Sequence, residues 1–417
     1  CLTIDVLVIG GGPAGMAAAL SAKAAGASVL LLEQNDKLGK KLYITGKGRC
    51  NVTNLCSQEE FLAQVPRNPR FLFSAFKALN PEQLREWLHS LGCPTVVERG
   101  RRVFPASQKA SDVTRALQGG LNAQELRLNA RVTGILLEEG RVCGARLETG
   151  EVIAARSVIL ATGGLSYPAT GATGIGHGIA KELGHEVTPL FPSLTGFNTR
   201  DAWPRDLQGL TLKNVALHAV WPKKGRFEEQ GELLFTHYGI SGPLALSLSS
   251  LLAGQDVAKA EVTLDLKPAL RDEDLRRRLL ADIAQHGRKT LAGLLPGYLP
   301  ASLAALFPGL LGLDAEKPLH QFSAQEREAL IGGFKRLPLR LNSHRAFTEA
   351  VVTRGGVDVR QVNPSTMASK IVKGLYFAGE LLDVDAMTGG YNLQIAFSTG
   401  ALAGRSAAND VSTANGA

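Results

Sequence analysis

Two glycine-rich clusters stand at opposite ends of this 417-residue chain, and each is of the kind that lets a backbone approach a phosphate. The first follows a short apolar run, Ile4–Ile9, the form taken by a parallel strand buried on both faces. The run leads straight into Gly10-Gly11-Gly12-Pro13-Ala14-Gly15, a G-x-G-x-x-G pattern. Gly10 permits the tight turn, Gly12 admits a pyrophosphate to the backbone, and Gly15 lets helix and strand pack closely. Met16 to Ala25 then reads as a helix stopped by Gly26, and its free N-terminal amides and partial positive charge favour phosphate. A second apolar run, Ser28 to Leu32, ends in Glu33, near the ~20-residue spacing expected of a carboxylate that accepts from ribose hydroxyls. An acid there disfavours a 2′-phosphate, so the site expects FAD or NAD and not NADP. A chance glycine cluster would not bring strand, helix and terminal acid with it. A secretory signal is a poor account of the same segment, because Asp5 is acidic, no basic stretch precedes it and glycines interrupt the apolar run.

The fingerprint alone does not separate FAD from NAD; three later segments do. Lys40 to Asn54 is a loop dense in glycine, cations and amides directly after the ribose-binding strand, able to run along a long dinucleotide. Ser157 to Leu160 reads as a buried strand ending in small residues, Ala161-Thr162-Gly163-Gly164, where backbone passes close to a ligand. The second cluster pairs a strand, Leu375 to Ala378, ending at Gly379-Glu380, with Thr388-Gly389-Gly390-Tyr391-Asn392-Leu393-Gln394. From Asn392 an Ala-rich helix is expected to run to about Ala408. Reduced flavin carries negative charge near N1 and the C2 carbonyl, and a helix N-terminus aimed there contributes about 0.3–1 kcal/mol, up to ~2 when partly buried. An NAD dehydrogenase has no need of that feature.

These segments together resemble one family, the NAD(P)/FAD-dependent oxidoreductases that include aminoacetone oxidase and a bile-acid 3-oxo-4,6-diene reductase. The resemblance spans essentially the whole chain, and its Gly48-Arg49-Cys50-Asn51 and Gly389-Gly390-Tyr391-Asn392 segments are the specific ones. It implies an α/β fold: a Rossmann-like, doubly wound FAD-binding domain with an inserted β-rich substrate domain and a small helical domain. By matching motif, Gly10, Gly12, Pro13, Ala14 and Gly15 would hold the pyrophosphate, Glu33 the adenosine ribose, and the backbone of Val132 the adenine, with Gln34 also among the cofactor contacts. Arg49, Cys50, Asn51, Gly379, Glu380, Asn392, Leu393 and Gln394 would lie along the ribityl–isoalloxazine half, with Lys41, Gly46, Gly48, Ala161, Thr162, Gly163, Gly390 and Tyr391 completing the FAD contacts. One departure is Lys47, where a small residue is expected.

Alternating strands and helices over 1–190 suggest the first part of the FAD-binding domain, with a β-hairpin turning at Glu139-Gly140. Thr170 to Gly178 leads into a helix expected from Ile179 to Leu183; its glycine spacing and the lack of a preceding strand argue against a dedicated NAD(P)H domain. Pro189 and Pro192 mark a boundary. Beyond it, 191–268 and 315–344 are expected to form the β-rich substrate domain, 269–314 the helical insert, and 345–417 the remainder of the FAD domain. Ser323-x-x-Glu326 is a capping box opening a helix to about Lys335.

A hydrophobic content of 45% with 20% charged residues suits a globular protein, and no apolar run is long enough to span a bilayer. Cys1, Cys50, Cys56, Cys93 and Cys143 are scattered, which fits a reducing cytoplasm better than a disulfide scaffold. Cys50 and Cys56 are either a redox pair beside the flavin or, as a bare C-x5-C spacing more often means, two unrelated thiols. No His or Cys spacing suggests a metal. Net charge is +8, but the densest run, Arg271 to Arg278, is mixed in sign and reads as an exposed helix face. No basic stretch interleaved with aromatics was evident, which speaks against nucleic acid as a partner.

For chemistry, Thr236-His237-Tyr238-Gly239 places an imidazole and a phenol in a turn of the insert, so His237 is the candidate proton donor or acceptor and Tyr238 the candidate carbonyl polariser, against the plainer role of bracing the turn. Arg354 is either a contact to flavin or an anionic substrate group, or a surface residue at a turn. The leading expectation is an FAD-dependent oxidoreductase, monomer or homodimer, moving a hydride between flavin and a small carbonyl, amine or enone. NAD(P)H, as a transient donor, or O2 would be the other redox partner. The alternatives are an FAD-dependent RNA-modifying protein and a non-catalytic flavin-binding regulator.

Overall fold

The computed structural model describes residues 3–415, so Cys1 lies outside the described residues. The chain divides into two compact units, one built from the chain up to Ser193 with the chain from Ala346 onward, the other Leu194–Arg345.

The first unit is organised by a parallel sheet. Strand β1 (Ile4–Ile9) is followed by helix α1 (Pro13–Ala24) and strand β2 (Val29–Leu32), which pairs parallel to β1 to make a βαβ unit. Strand β3 (Val152–Leu160) flanks β1 on its other side, and β4 (Leu375–Phe377) lies parallel to the end of β3. The short strand Leu126–Arg127 extends the sheet beyond β2. The apolar runs form strands because both faces are covered: Val6, Leu7 and Val8 are fully buried, as are Val158, Ile159 and Leu160. The early residues of β3 pair antiparallel with Arg141–Leu147, which pairs in turn with Val132–Glu138. The expected hairpin turn is there, with Glu139 (φ 48°) and Gly140 (φ 76°) both left-handed.

Helix α2 (Tyr391–Asn415) packs along α1. The two approach closely because small residues meet: a Cβ on Gly400 would stand 2.2 Å from the carbonyl oxygen of Ala14, and one on Gly404 2.1 Å from that of Ala18. The helix begins one residue before Asn392 and outlasts Ala408, where its expected end lay. The polar stretch after Ala408 has weak helix propensity, yet Val411 is buried and Asp410 accepts a hydrogen bond from Tyr376 of β4, which holds the last turns in place. The helix expected at Ile179 begins earlier, at Ile175, with Gly174 (φ 78°) before it.

The second unit is a seven-stranded antiparallel sheet in the order Leu337–Pro338, Glu261–Asp265, Thr211–Trp221, Gly225–Thr236, Gly239–Ser241, Phe197–Thr199 and Leu341–His344. Helices Asp272–His286, Ala301–Leu311 and Ala324–Lys335 share its core, so that Leu217, Phe235 and Leu264 of the sheet belong to the same apolar cluster as Leu275, Leu303, Phe307 and Phe334. The Ser323–Glu326 capping box is present in both directions. Buried Lys335 pairs with Asp265 at 2.6 Å and donates to the carbonyls of Lys267 and Leu270, which fastens the capped helix to the strand. The mixed-sign run is an exposed helix face, with Arg271 and Arg277 paired to Asp274. Among the described residues, no helix is long and apolar enough to cross a membrane, and no three metal-ligating side chains gather.

Candidate active site

All four parallel strands end at one edge of the sheet, and that edge collects the predicted residues of the first unit. The amide of Gly10 donates to Leu32, that of Ala161 to Ile9 and that of Ala378 to Leu160, at 2.8–3.0 Å. Gly10, Glu33, Ala161 and Ala378 are therefore the first residues past four adjacent strands, with Gly379 next after the fourth, the place where open α/β sheets bind ligands. At Gly10 (φ 107°) a Cβ would stand 2.4 Å from the carbonyl oxygen of Ala161, and at Gly15 one would stand 1.8 Å from the carbonyl of Gly10 itself. Nothing lies within 4 Å of a Cβ on Gly12, and no side chain caps the N-terminus of α1. The turn is thus tight where chain meets chain and open where a phosphate would meet amides.

Glu33 is buried, and Oε2 accepts from the amide of Gly11 at 2.7 Å while Oε1 accepts from the backbone and side-chain amides of Asn35, both at 2.8 Å. A carboxylate has room for about four such bonds, so a lone pair is left for a ribose hydroxyl. Gln34 and Asn35 tie this edge to the 170–171 turn through the carbonyls of Gly171 and Thr170. Beside them is a cavity of about 410 Å³ that includes Gln34, Ala130, Arg131 and Pro168 in its lining, and the strand opened by Val132 starts next to it.

The far half of the site joins the two ends of the chain. A Cβ on Gly379 would touch that of Ala14 at 2.8 Å, and one on Gly390 (φ 98°) would stand 2.5 Å from the carbonyl of Thr53 and 2.9 Å from Oδ1 of Asn51. Glu380 receives Lys41 at 2.8 Å on one oxygen and the amide of Thr353 at 2.7 Å on the other. Gln394 is fully buried and spends its side chain on the protein itself: Thr53 donates to its oxygen, and its nitrogen donates to Leu79 and Ser398. Asn392 likewise braces the preceding loop, accepting from the amide of Ala386 and donating to that residue's carbonyl. Tyr391 sets its ring edge-on to Phe61, and Leu393 packs against the core. Arg49 turns to Glu98 and Gln108 with its guanidinium 4.1 Å over Phe104. The segment expected as a loop coils through a 3-10 stretch, Leu42–Gly48, broken at Thr45, Gly46 and Lys47. Lys47 sits at φ 58°, a left-handed position that explains the expectation of a small residue there.

Three predicted or neighbouring side chains keep buried polar atoms without a protein partner: Oδ1 of Asn51, Oδ1 of Asn54 and Oγ1 of Thr162. Buried orphans of this kind ask for a ligand or water. With the open amides at Gly12, the spare acceptor of Glu33 and the Gly163 backbone (φ 74°, clear of neighbours), the residues fit a flavin dinucleotide.

Burial bears on two pairs of alternatives. Cys50 is fully buried and burial pushes its thiol up to about 12, and burial raises that of Cys56 too, which favours the reading of two unrelated thiols. Arg354 is no surface residue: it is buried and grips Asp385 with two bonds, of 2.5 and 2.9 Å. Burial raises the carboxyl of Asp385 and the guanidinium opposes that rise. Asp383, also buried, pairs with Arg67 at 2.9 Å. Asp383, Asp385, Thr53 and Thr353 had escaped notice; a Leu-Asp-Val-Asp run between two glycine clusters was the available signal.

His237 and Tyr238 are in the second unit, in the tight turn between Gly225–Thr236 and Gly239–Ser241. His237 is exposed and meets the Tyr238 ring edge-on at 5.0 Å; Arg345 lies 4.1 Å over the face of Tyr238.

A family model described as the HI0933-like protein Rossmann domain matches residues 4–406, nearly the whole chain and both glycine clusters. The chain belongs to the HI0933-like family. Among similar proteins, the 3-dehydro-bile acid delta(4,6)-reductase of Clostridium scindens is 31% identical over 96% of this chain and 98% of its own length. The ribosomal RNA dihydrouridine synthase of Escherichia coli is also 31% identical, over 95% of this chain and 96% of its own. Of solved structures, Mycobacterium smegmatis Sdh1 covers 98% of this chain and 68% of its own with a TM-score of 0.50 at 20% identity, a likeness of fold. This HI0933-like protein is an FAD-dependent oxidoreductase, and the notion of a non-catalytic regulator gives way to that of an enzyme.

Proposed function

We propose that the protein is an FAD-dependent reductase of a carbon–carbon double bond conjugated to a carbonyl, with a small enone as substrate and NAD(P)H as the transient donor. The observation that carries this is a common denominator. A delta(4,6)-reductase and a dihydrouridine synthase share this chain's whole length at equal identity, and both names describe saturation of a C=C bond. The uracil ring and a dienone alike conjugate that bond to a carbonyl, which narrows the amine, carbonyl and enone classes to the last.

FAD, when bound, would supply hydride-transfer chemistry toward the β-carbon. The chain's residues do the rest: the amides after Gly12 and the carboxylate of Glu33 hold the dinucleotide, and the Lys41–Glu380–Thr353 cluster fixes the Gly379 backbone. The start of α2 places a positive helix end where negative charge is favoured. The α-carbon requires a proton and the carbonyl a donor, and His237 and Tyr238 carry groups of the right chemistry for those roles. A second reading, reduction of uracil in ribosomal RNA by the same chemistry, is favoured by the second relative and the +8 net charge.

The test is anaerobic stopped-flow of the FAD-loaded protein with NADH and NADPH, then mixing of the reduced protein with conjugated enones, isolated alkenes and amines. Bleaching of the flavin's visible band by a nicotinamide and its return with an enone is the expected result. Return with O2 but with neither an enone nor a uridine-containing RNA would refute the proposal. His237→Ala is expected to stay yellow and turn over slowly; a colourless variant contradicts the assigned role.

A further inference from the structure

The hairpin Thr95–Glu98 / Arg102–Pro105 carries the tip Arg99-Gly100-Arg101-Arg102, and all four tip residues are exposed. Gly100 (φ 75°) and Arg101 (φ 61°) are consecutive left-handed residues that turn the tip outward. The loop bearing Lys47 and Arg49 packs on the same hairpin: Arg49 and Arg102 place their guanidinium carbons 4.1 and 5.9 Å from the ring of Phe104, and a Cβ on Gly46 would stand 3.5 Å from that ring. Five cations therefore crowd one ridge. Glu98 pairs with Arg49 and Glu60 with Arg101, whereas Lys47, Arg99 and Arg102 have no ion pair among the described residues. Val96 and Val97, on the strand leading into the tip, are exposed apolar side chains.

The ridge is joined to the cofactor edge by one amide. Nδ2 of Asn54 donates to the carbonyl of Gly100 at 2.9 Å and reaches that of Gly389 at 3.4 Å, and Asn54 pairs with Arg102 in the small sheet. A strand of unpaired positive charge, with planar guanidiniums and apolar surface beside it, is what single-stranded nucleic acid requires: cations for phosphates and flat or apolar faces for bases.

We propose that the Arg99–Arg102 tip, with Lys47, docks the sugar–phosphate backbone of single-stranded RNA and so presents a uracil to the flavin edge. This rests on the second reading of the function, and it runs against the composition-based expectation that nucleic acid is not a partner. The Arg-Gly-Arg-Arg-Val-Phe segment is short, and its aromatic is buried under two guanidiniums, so it does not stand out as a basic stretch with aromatics.

The experiment is fluorescence anisotropy of a short labelled oligouridylate with the FAD-loaded protein, over about 50–200 mM salt. It compares the wild type, Arg99→Glu/Arg102→Glu, the milder Arg99→Gln/Arg102→Gln, and a remote control, Arg271→Glu/Arg277→Glu. Each phosphate contact on a single strand adds about 0.7 to the slope of log affinity against log salt, so losing two lowers the slope by about 1.4. The tip variants should bind about tenfold more weakly or worse, keep their FAD and still reduce a small enone, while the control binds as wild type does. Failure of the wild type to bind at low salt, or equal loss in the control, or unchanged binding in both tip variants overturns the proposal. RNA binding lost at the tip in a protein that reduces no conjugated bond would leave the docking site standing and sink the reductase reading. Enone reduction without RNA binding would do the reverse.

Discussion

Substituting Gly400 by alanine pits two effects of opposite sign against each other. Alanine is the better helix former by about 1 kcal/mol, so in an isolated helix the change stabilises. In this protein a Cβ at 400 would stand 2.2 Å from the carbonyl oxygen of Ala14, where carbon contacts need about 3.5 Å, so α1 and α2 must part by roughly 1 Å. Neither neighbour gives easily, because the obstructing atom is backbone and both helices are buried along this face. Overpacking of this kind costs about 1–3 kcal/mol, which leaves a net destabilisation of about 0–2 kcal/mol after the propensity gain. Gly400→Ala/Gly404→Ala should cost less than the sum of the singles, since one separation relieves both clashes while both propensity gains are kept. Ala14 belongs to the first turn of α1, so the same shift should also weaken FAD retention. Urea unfolding followed by circular dichroism, with FAD release followed by flavin fluorescence, reads both. A midpoint that rises with Gly400→Ala, with FAD held as tightly as before, refutes the argument that these helices are in backbone contact.

Glu33→Ala removes three hydrogen bonds and the ribose acceptor, and is expected to lower FAD content in purified protein; equal flavin-to-protein ratios would count against the assigned role. Asp385→Ala leaves the buried Arg354 guanidinium without its bidentate partner and should cost about 3 kcal/mol, seen as a lower unfolding midpoint; an unchanged midpoint would show that the pair adds nothing. Burial lowers the values of His177, His185 and His344, so the unfolded chain takes up protons near pH 6.5 that the folded chain refuses. Their stability contribution is complete above about pH 6.5 and is lost as pH falls from there toward the folded values. Melting temperature should fall through that window, and a flat profile would argue that the three rings are not held neutral.

How much was legible follows from how far apart the interacting residues are. The turn at Gly10, the strand–helix–strand sequence and Glu33 lie within one local unit, so spacing alone announced them. The capping box at Ser323 was equally plain, because its partners are three residues apart. What sequence did not announce was long-range. Lys41 with Glu380, Arg354 with Asp385, and Gly400 with Ala14 are contacts that only the folded sheet creates. Asn392 and Gln394 were expected to lie along the flavin half; that their side chains brace Ala386 and Leu79 is a detail no motif encodes.

The place of β4 and α2 at the end of the chain has a consequence for biogenesis. One edge of β3 waits for Leu375–Phe377, and the small-residue face of α1 waits for Gly400 and Gly404, while the whole of Leu194–Arg345 is made in between. A nascent chain therefore carries a strand with one open edge while the whole second unit is made, a state that invites aggregation. A chain stopped before Leu375 has its first glycine turn intact but lacks both β4 and the helix that packs on α1.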